Sequence, residues 1–366
     1  MRKFFVSVMI LLALSAGAYA DVVYSTEDGS LGVVRITSQG SADLRGIQYK
    51  GNDDNTLLGS YWDGDDSRII LVSRTTDYTA SGDTALIFNP ADMSEPLDTT
   101  PKVLNGVYNA KMMTGTYNGR GLYFVSGSSV REFSTETFKR VRTYTCKPDS
   151  GDTQAPPVKS LAVSRYTVYL LTERANSGDV VMMFDGQLRD DIEDFRQRTA
   201  PSGSSAMAVL SNSLMVIAHD TGVDGLSTSG FYEIVSRDCQ VNAICPDNDK
   251  GFYFAEESND GTTTYLKHYN KNGTLSVIRT ENEAGDCQMI YDDSDGVMCV
   301  VFGGKLLVYR TKDDVLIGEF GSSELGGNIR HVASGVVKGA DTSDNGGCNF
   351  SGLGMLLAVS LLFRRR

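Results

Sequence analysis

The strongest constraint on the fold of this 366-residue chain is a short apolar run that recurs at nearly regular spacing. The runs are rich in aromatic and β-branched residues, which favour strands. Successive copies lie about 46 residues apart on average, and a repeat of roughly 40–50 residues with four strands is typical of β-propellers. Seven copies occur, at residues 22–24, 69–71, 123–125, 169–171, 215–217, 253–255 and 299–301.

Residues 120–144 show how one repeat is built. Residues 122–126, 130–133 and 138–144 have β-type patterns, and turns rich in Gly, Ser and Thr separate them. Alternation with period two places neighbouring side chains on opposite faces of a sheet, so these runs predict an antiparallel meander. A further short run ahead of each apolar copy, such as residues 161–162, supplies a fourth strand. One such sheet cannot bury both of its faces alone, which is why copies are needed.

The first repeat lacks a run ahead of residues 22–24. Residues 328–334 look like the runs that precede the other copies, and no further meander follows them. Pairing this segment beside residues 22–25 would complete the first blade and remove the open edge of the ring. We therefore predict an all-β, seven-bladed β-propeller over residues 21–337, closed by strands from both ends. Such a body resembles bacterial exported β-propellers.

Residues 1–20 have the three regions of a secretory signal peptide. Arg2 and Lys3 form a basic start, residues 4–17 are apolar, and residues 18–20 fit the small-x-small pattern of a cleavage site. The alternative is a transmembrane anchor, but the apolar run is short for the roughly 20 residues that span a bilayer. We expect signal peptidase to cut after Ala20 and the rest of the chain to be exported.

The C-terminus carries a second targeting pattern. A polar linker at 338–347 is followed by Cys348 and Asn349, an apolar run at 350–363 and three terminal arginines. As a helix the apolar run would span only about 21 Å, which is short for a stable anchor. The arginines would stay on the cytoplasmic side. Residues 348–366 resemble the Synergist-CTERM sorting domain, which joins a Gly-Cys-Asn-Ala element, an apolar helix and arginines. Phe350 stands at the alanine position.

This resemblance covers about the last 20 residues and implies a bacterial protein displayed on the cell surface or outer envelope. It implies that a C-terminal sorting protease processes the chain near Cys348 and Asn349, with lipid linkage there as one possible product. A plain transmembrane tail anchor is the alternative. Under either interpretation the C-terminal segment makes the membrane a partner.

The charge balance excludes several kinds of partner. The chain has 34 basic and 46 acidic residues, for a net charge of −12. Five of the basic residues lie in the two terminal segments, so the predicted propeller is more acidic still. Such a surface repels nucleic acid and anionic lipid, so we expect neither as a partner of this domain.

The cysteines are candidates for a disulfide bond or a metal site. Cys287 and Cys299 lie symmetrically about Asp293, so they could face each other across a hairpin as a disulfide, which export permits. Facing cross-strand geometry is often strained, which favours free thiols as the alternative. The absence of a CxxC spacing argues against a structural zinc site.

Acidic clusters raise the question of calcium as a cofactor. Asp63, Asp65 and Asp66 are the foremost candidates, followed by residues 247–249 and 292–295. None matches the spacing of a calcium loop. These three clusters fall where the first hairpin of a blade must turn, and Asp is favoured in turns. Solvated turns are therefore the preferred interpretation, and we expect no other cofactor.

No catalytic constellation is recognisable. His219, His268 and His331 fall in separate predicted blades, and common hydrolase motifs are missing. His268 is expected to pack on an exposed strand. Propellers bind ligands where loops from every blade converge, at the start of the innermost strands. Polar residues predicted there are Lys111, Lys159, Ser205, Gln240, Gln288, Arg330 and His331. The alternative is that ordered water solvates them.

Three functions follow, in order of preference. The first is an exported, surface-anchored module that binds an envelope protein, a glycan or another envelope component through one face of the ring. The second is a propeller-type hydrolase or lyase that uses a metal, or His331 and Arg330, at the channel mouth. The third is a structural component of a surface coat. Because propellers serve unrelated functions, the fold alone cannot decide among them.

Overall fold

The structure is a computed structural model that describes residues 21–334. The exceptions are 38–39, 64–65, 76–78, 91, 116–120, 149, 151–152, 165–166, 186–194, 212, 237–239, 248, 284, 286 and 293–295. The predicted signal peptide with Ala20, the linker at 338–347 and the sorting segment with Cys348 and Asn349 lie outside the described residues.

The described residues form 28 strands and one short helix, numbered here in chain order. The first fourteen strands are β1 (Asp21–Thr26), β2 (Leu31–Ile36), β3 (Ala42–Tyr49), β4 (Asn55–Asp63), β5 (Asp66–Ser73), β6 (Thr84–Phe88), β7 (Lys102–Val103), β8 (Met112–Gly115), β9 (Gly121–Ser126), β10 (Ser129–Ser134), β11 (Arg140–Thr145), β12 (Val158–Val163), β13 (Thr167–Arg174) and β14 (Gly178–Asp185). The remaining elements are β15 (Phe195–Thr199), β16 (Ala206–Val209), β17 (Met215–His219), β18 (Gly222–Leu226), β19 (Phe231–Ser236), β20 (Val241–Pro246), β21 (Phe252–Glu257), β22 (Thr264–Tyr269), β23 (Leu275–Glu281), β24 (Cys287–Asp292), β25 (Val297–Phe302), β26 (Lys305–Arg310), β27 (Val315–Phe320), α1 (Ser322–Leu325) and β28 (Ile329–Ser334).

These strands make seven four-stranded antiparallel sheets, the blades of a β-propeller. Blade 1 has the order β28-β1-β2-β3, and blades 2 to 7 are successive meanders that start at β4, β8, β12, β16, β20 and β24. The innermost strand of each blade lies against the innermost strands of its two neighbours, and the series closes on itself from β24 through β28 to β4. The predicted seven-bladed ring is confirmed.

The seven apolar runs of the sequence are the second strands of the seven blades: β1, β5, β9, β13, β17, β21 and β25. A second strand is covered on both faces by neighbouring blades, so its sequence reads as a continuous apolar run. All five residues of β17 and all six of β25 are buried. The outermost strands β3 and β27 include several exposed residues and alternate or vary in burial.

The hydrophobic core is divided among the interfaces between blades. Seven clusters of buried side chains occur among the described residues, and each combines two adjacent blades. Alternate residues of one strand serve two interfaces: Val22 and Tyr24 pack against blade 7, whereas Val23 packs against blade 2. Each blade therefore depends on both neighbours for the burial of its apolar faces, as the repeat pattern predicted.

The ring is closed by strands from the two ends of the described chain. β28 pairs antiparallel with β1, with Ser25 opposite His331 and Val22 opposite Ser334. This pairing gives blade 1 the innermost strand that the other six blades take from their own meanders. The predicted closure by residues 328–334 is confirmed.

A buried tyrosine fixes the approach to the closing strand. The Tyr24 side chain is fully buried, and its hydroxyl donates a hydrogen bond of 3.1 Å to the carbonyl of Leu325 in α1. Burial raises the pKa of Tyr24 to about 12. Gly32 lies directly against the ring, since a Cβ there would be 2.1 Å from Tyr24 Cζ. Only glycine leaves room for this tyrosine.

The predicted disulfide between Cys287 and Cys299 is wrong, because the register of the hairpin differs from the assumed one. Cys287 lies opposite Phe302, and Cys299 lies opposite Ile290. This odd offset places the two thiols on opposite faces of the sheet. Cys299 accordingly packs toward blade 1 and Cys287 toward blade 6. Both are free thiols in the structure.

Candidate functional site

The innermost strands all begin at the same end of the ring, which we call the mouth end. This follows from the repeated connectivity, because each meander is entered through its innermost strand after the outermost strand of the preceding blade. The residues predicted to line the mouth all lie at or beside these strand beginnings. Three of them directly precede an innermost strand: Lys111 before β8, Ser205 before β16 and Gln240 before β20. Three others are the second residue of one: Lys159 in β12, Gln288 in β24 and Arg330 in β28. His331 is the third residue of β28.

Lys159 is held by its own blade. Its Nζ lies 2.8 Å from Oδ1 of Asp179 and 3.4 Å from Oε2 of Glu173. Asp179 is buried and also accepts a hydrogen bond of 2.9 Å from the amide of Ser204. This lysine therefore neutralises a buried carboxylate that fixes the loop leading to the next blade.

Two other predicted lining residues join neighbouring blades. The Ser205 hydroxyl donates to the carbonyl of Val241 at 2.7 Å, which connects blades 5 and 6. The side-chain oxygen of Gln288 accepts from the amide of Val332 at 3.2 Å, which connects blades 7 and 1. These contacts satisfy backbone groups between innermost strands, so both side chains have structural partners.

The other four predicted residues are available to a ligand. Lys111, Gln240 and Arg330 are exposed, and His331 is half-buried. Arg330 is the extra residue of a β-bulge, because the register between β1 and β28 shifts between Ser25 and Thr26. A bulge redirects a side chain and is common near binding sites.

Arg74, which sequence reasoning missed, lies close enough to this group to affect His331. Burial lowers the pKa of His331, and the positive charges of Arg330 and Arg74 lower it further. The Arg74 Nε is buried and has no hydrogen-bond partner in the described part of the chain. Burial and the charges of two guanidinium groups thus all disfavour protonation of this imidazole. We call Arg74, Arg330 and His331 the mouth cluster.

The sequence held no direct signal for Arg74. It follows β5, the second strand of blade 2, whereas the mouth was predicted from innermost strands alone. Its backbone amide donates to the carbonyl of Asp54 at 2.9 Å, just ahead of the innermost strand β4. A search that included the loops between second and third strands would have found it.

The described residues of the acidic clusters lie at the ends of first strands or the starts of second strands, beside the predicted hairpin turns. Asp63 and Asp66 form the last register pair of the β4–β5 hairpin, and Asp65 lies outside the described residues. Within residues 21–334, as far as they are described, no group of three or more His, Cys, Asp or Glu could hold a metal ion. Calcium at Asp63, Asp65 and Asp66 remains a prediction.

His268 is not an exposed packing residue, as the sequence had indicated, but the centre of an ion cluster between two blades. Its Nε2 lies 3.0 Å from Oδ2 of Asp247, and its Nδ1 lies 3.1 Å from Oδ2 of Asp314. The ring stacks on Tyr253 at 4.1 Å between centroids. The Tyr253 hydroxyl donates to Asp314 at 3.1 Å. Asp314 belongs to blade 7 and the other three residues to blade 6.

The protonation of His268 follows from these contacts. Burial opposes a positive charge on the ring, but hydrogen bonds to Asp247 and Asp314, together with their charges, outweigh it and raise the pKa to about 9. The cluster lies at the end of the ring opposite the mouth, where β20 ends and the turn after β26 begins. We call His268 with Asp247 and Asp314 the clamp, because the charged imidazole ring joins blade 6 to blade 7 through these two carboxylates.

Within the described residues, no helix combines the length and the apolar character that crossing a bilayer requires.

Comparisons with known proteins give the fold. No family model matches the sequence, and neither does any curated protein. Among solved structures, the chain is similar to a periplasmic gluconolactonase of Pseudomonas aeruginosa, with a TM-score of 0.61 and 13% identity over 87% of this chain and 99% of that chain. It is also similar to a Lactobacillus plantarum protein, with a TM-score of 0.62 and 10% identity over 86% of this chain and 99% of that chain.

A third similar structure is AztD from Citrobacter koseri in its apo form. The TM-score is 0.53 and the identity 11%, over 86% of this chain and 97% of that chain. At identities this low, a shared shape carries no information about substrate or ligand. The similarities therefore establish that the chain shares its fold with these proteins.

Proposed function

We propose that this protein is an exported, surface-anchored binding module that takes an acidic envelope component, a glycan or a protein, at the mouth end of its propeller. The single observation behind this proposal is the mouth cluster. In a chain of net charge −12, two arginines lie beside the same half-buried histidine where loops of all blades converge. A ligand that carries carboxylate, sulfate or phosphate groups would match them.

The mouth cluster is suited to binding because its charges are not used internally. Neither Arg74 nor Arg330 forms an ion pair with a carboxylate among the described residues, in contrast to Lys159. A buried guanidinium nitrogen without an acceptor is unfavourable, and an incoming anion would supply that acceptor. Lys111 and Gln240, both exposed at the same end, extend the polar rim.

Export and anchoring are supported by the sequence patterns of the two ends. Signal peptidase would cut after Ala20, and a C-terminal sorting protease would act near Cys348 and Asn349. The chain would then remain at the cell surface or outer envelope, either lipid-linked or held by the apolar segment in the membrane. Immunodetection of the chain on intact cells, before and after surface proteolysis, tests this placement.

The test of binding compares the full chain with Arg74→Gln and Arg330→Gln variants against cell-envelope fractions and an array of neutral and acidic glycans. We expect selective binding of acidic components and a loss of about tenfold in affinity for each variant, because each removes a charge-assisted hydrogen bond. Arg45→Gln is the matched control, since it removes an exposed arginine of blade 1 that pairs with Asp43.

Equal affinity of all variants, or no binding to any fraction, would contradict the proposal. The same samples separate the other candidate functions. Lactone or glycoside hydrolysis that His331→Ala abolishes would indicate an enzyme, and ordered self-assembly of the purified chain would indicate a coat component.

A further inference from the structure

A second concentration of positive charge lies away from the mouth, in a cleft between blades 2 and 3. The cleft has a volume of about 480 Å³ and is lined by Val103, Asn105, Phe138, Lys139 and Arg140. Val103 ends β7, the outermost strand of blade 2. Phe138 and Lys139 directly precede β11 of blade 3, and Arg140 is its first residue. We call it the basic cleft. Its walls come from adjacent blades, so the ring itself fixes its width.

Arg131 on β10 brings a second guanidinium group to the basic cleft. A Cβ built on Gly106 would lie 3.2 Å from Nη1 of Arg140 and 3.3 Å from Nε of Arg131. Both nitrogens therefore lie close to one point, within reach of a single ligand group. Burial lowers the pKa of Arg131, and the charge of Arg140 lowers it further. The two like charges are thus held together at an electrostatic disadvantage.

Neither charge is compensated by the protein. In the part of the chain that the structure describes, Arg131 and Arg140 form no ion pair, and the buried Nε of Arg131 has no hydrogen-bond partner. The neighbouring Arg142, by comparison, lies 3.2 Å from Glu132. Buried donors are nearly always paired in folded proteins, so an unpaired one beside a second cation favours the binding of an anion.

The turn that carries Lys139 and Arg140 is rigidly placed. Phe138 has a φ of 51°, a conformation that bulky side chains avoid. Its ring is buried in the interface between blades 2 and 3, where it packs edge-on against Tyr61 at 6.2 Å. Burial of the ring compensates for the strained backbone and holds the basic side chains in position before any ligand arrives.

We propose that the basic cleft is an oxyanion-binding site, independent of the mouth cluster. Its ligand is a sulfate, phosphate or carboxylate group, bound by the guanidinium groups of Arg131 and Arg140 with Lys139 beside them. Guanidinium groups present parallel N–H donors that fit the paired oxygens of such groups. Exposed Val103 gives the cleft an apolar wall next to this charge, which suits an anionic group borne on a sugar ring or another carbon skeleton.

The experiment titrates the purified full chain with sodium sulfate, sodium phosphate and sodium D-glucuronate by calorimetry, with sodium chloride at equal ionic strength as reference. We expect saturable binding of at least one oxyanion. We expect Arg140→Gln and Arg131→Gln each to weaken it about tenfold, while Arg45→Gln changes it less than twofold. Arg140 is exposed, so its replacement should leave folding intact, and thermal unfolding of each variant verifies this.

The probe that binds most tightly identifies the source of the anion, a free inorganic ion or a carboxylated sugar. Absence of saturable binding for all three probes would overturn the proposal. So would unchanged binding in both arginine variants. Either failure would leave the proposed function at the mouth end standing, because that rests on Arg74 and Arg330.

Discussion

A chain that ends at Gly327 is expected not to form a stable propeller. The truncation removes β28, and with it the buried side chains of Ile329 and Val332. Burial of each such side chain stabilises a fold by about 1.5–3 kcal/mol, and the total stability of a domain is commonly about 5–15 kcal/mol. The loss also exposes Val22 and Tyr24 of the same cluster and opens the edge of β1.

The measurement is thermal and urea unfolding of the truncated chain, followed by circular dichroism and light scattering. A chain that ends at residue 337 serves as control, since it keeps every described strand, and we expect it to unfold cooperatively like the full chain. Addition of a synthetic peptide of residues 328–337 should partly restore folding of the shorter chain. If the chain ending at Gly327 unfolds at the same midpoint as the control, the closing strand contributes little and the account of ring closure is wrong.

Replacement of His268 by alanine is expected to destabilise the protein by about 3 kcal/mol. The imidazolium lies between Asp247 and Asp314, and removing one partner of a buried ion cluster leaves the others uncompensated. Asp247 keeps hydrogen bonds from the amides of Asp249 and Gly251, so its burial becomes unfavourable without its position being lost. Urea unfolding at pH 6.5 measures the change.

The same contact makes stability depend on pH. The folded-state pKa of His268 is raised from 6.5 to about 9, so the folded chain binds this proton more tightly than the unfolded chain does. Its contribution is therefore fully present below pH 6.5 and is lost as the pH rises through 9. Between pH 6.5 and 9 we expect the unfolding free energy of the wild type to fall by about 2–3 kcal/mol. We expect no such fall in His268→Ala.

Lys271→Ala is the control for this prediction, because it removes an exposed ion pair with Asp249 at the same end of the ring. Exposed pairs contribute about 0–1 kcal/mol, so this variant should keep both its stability and the alkaline loss. A His268→Ala protein as stable as the wild type, or one that keeps the same pH profile, would show that the clamp does not join blades 6 and 7.

The architecture could be predicted from the sequence because a strand that is buried on both faces has an uninterrupted run of apolar residues. Val22, Val23 and Tyr24 are all apolar since the odd and even positions face different neighbouring blades. The same reasoning located β28, whose residues are needed to complete blade 1. The register of the hairpin between β24 and β25 could not be predicted in the same way. The pairing of Cys287 with Phe302 depends on the conformation of the turn, whereas residue spacing alone had put the centre of the hairpin at Asp293.

The candidate site was only half predictable. Lys159 and Arg330 lie near the beginnings of innermost strands, where the repeat pattern had put them, but their role as ligand-binding residues stays a prediction. The repeat pattern could not show that Lys159 is paired with Asp179 while Arg330 has no such partner among the residues that the structure describes. That difference depends on side chains that lie 20 residues away in sequence and meet only in the folded blade. Arg74 and the partners of His268 were missed for the same reason, since each contact crosses between loops or between blades.

The direction of the closing strand has a consequence for how the molecule would be presented. β28 starts at the mouth end and finishes at Ser334, on the opposite side of the ring and next to Val22. A tether that continues from Ser334 therefore departs from the side that faces away from Arg74 and Arg330. If the proposed anchoring by the tail is right, the mouth end, where we propose that the ligand binds, would face away from the membrane, with the rest of the ring between them.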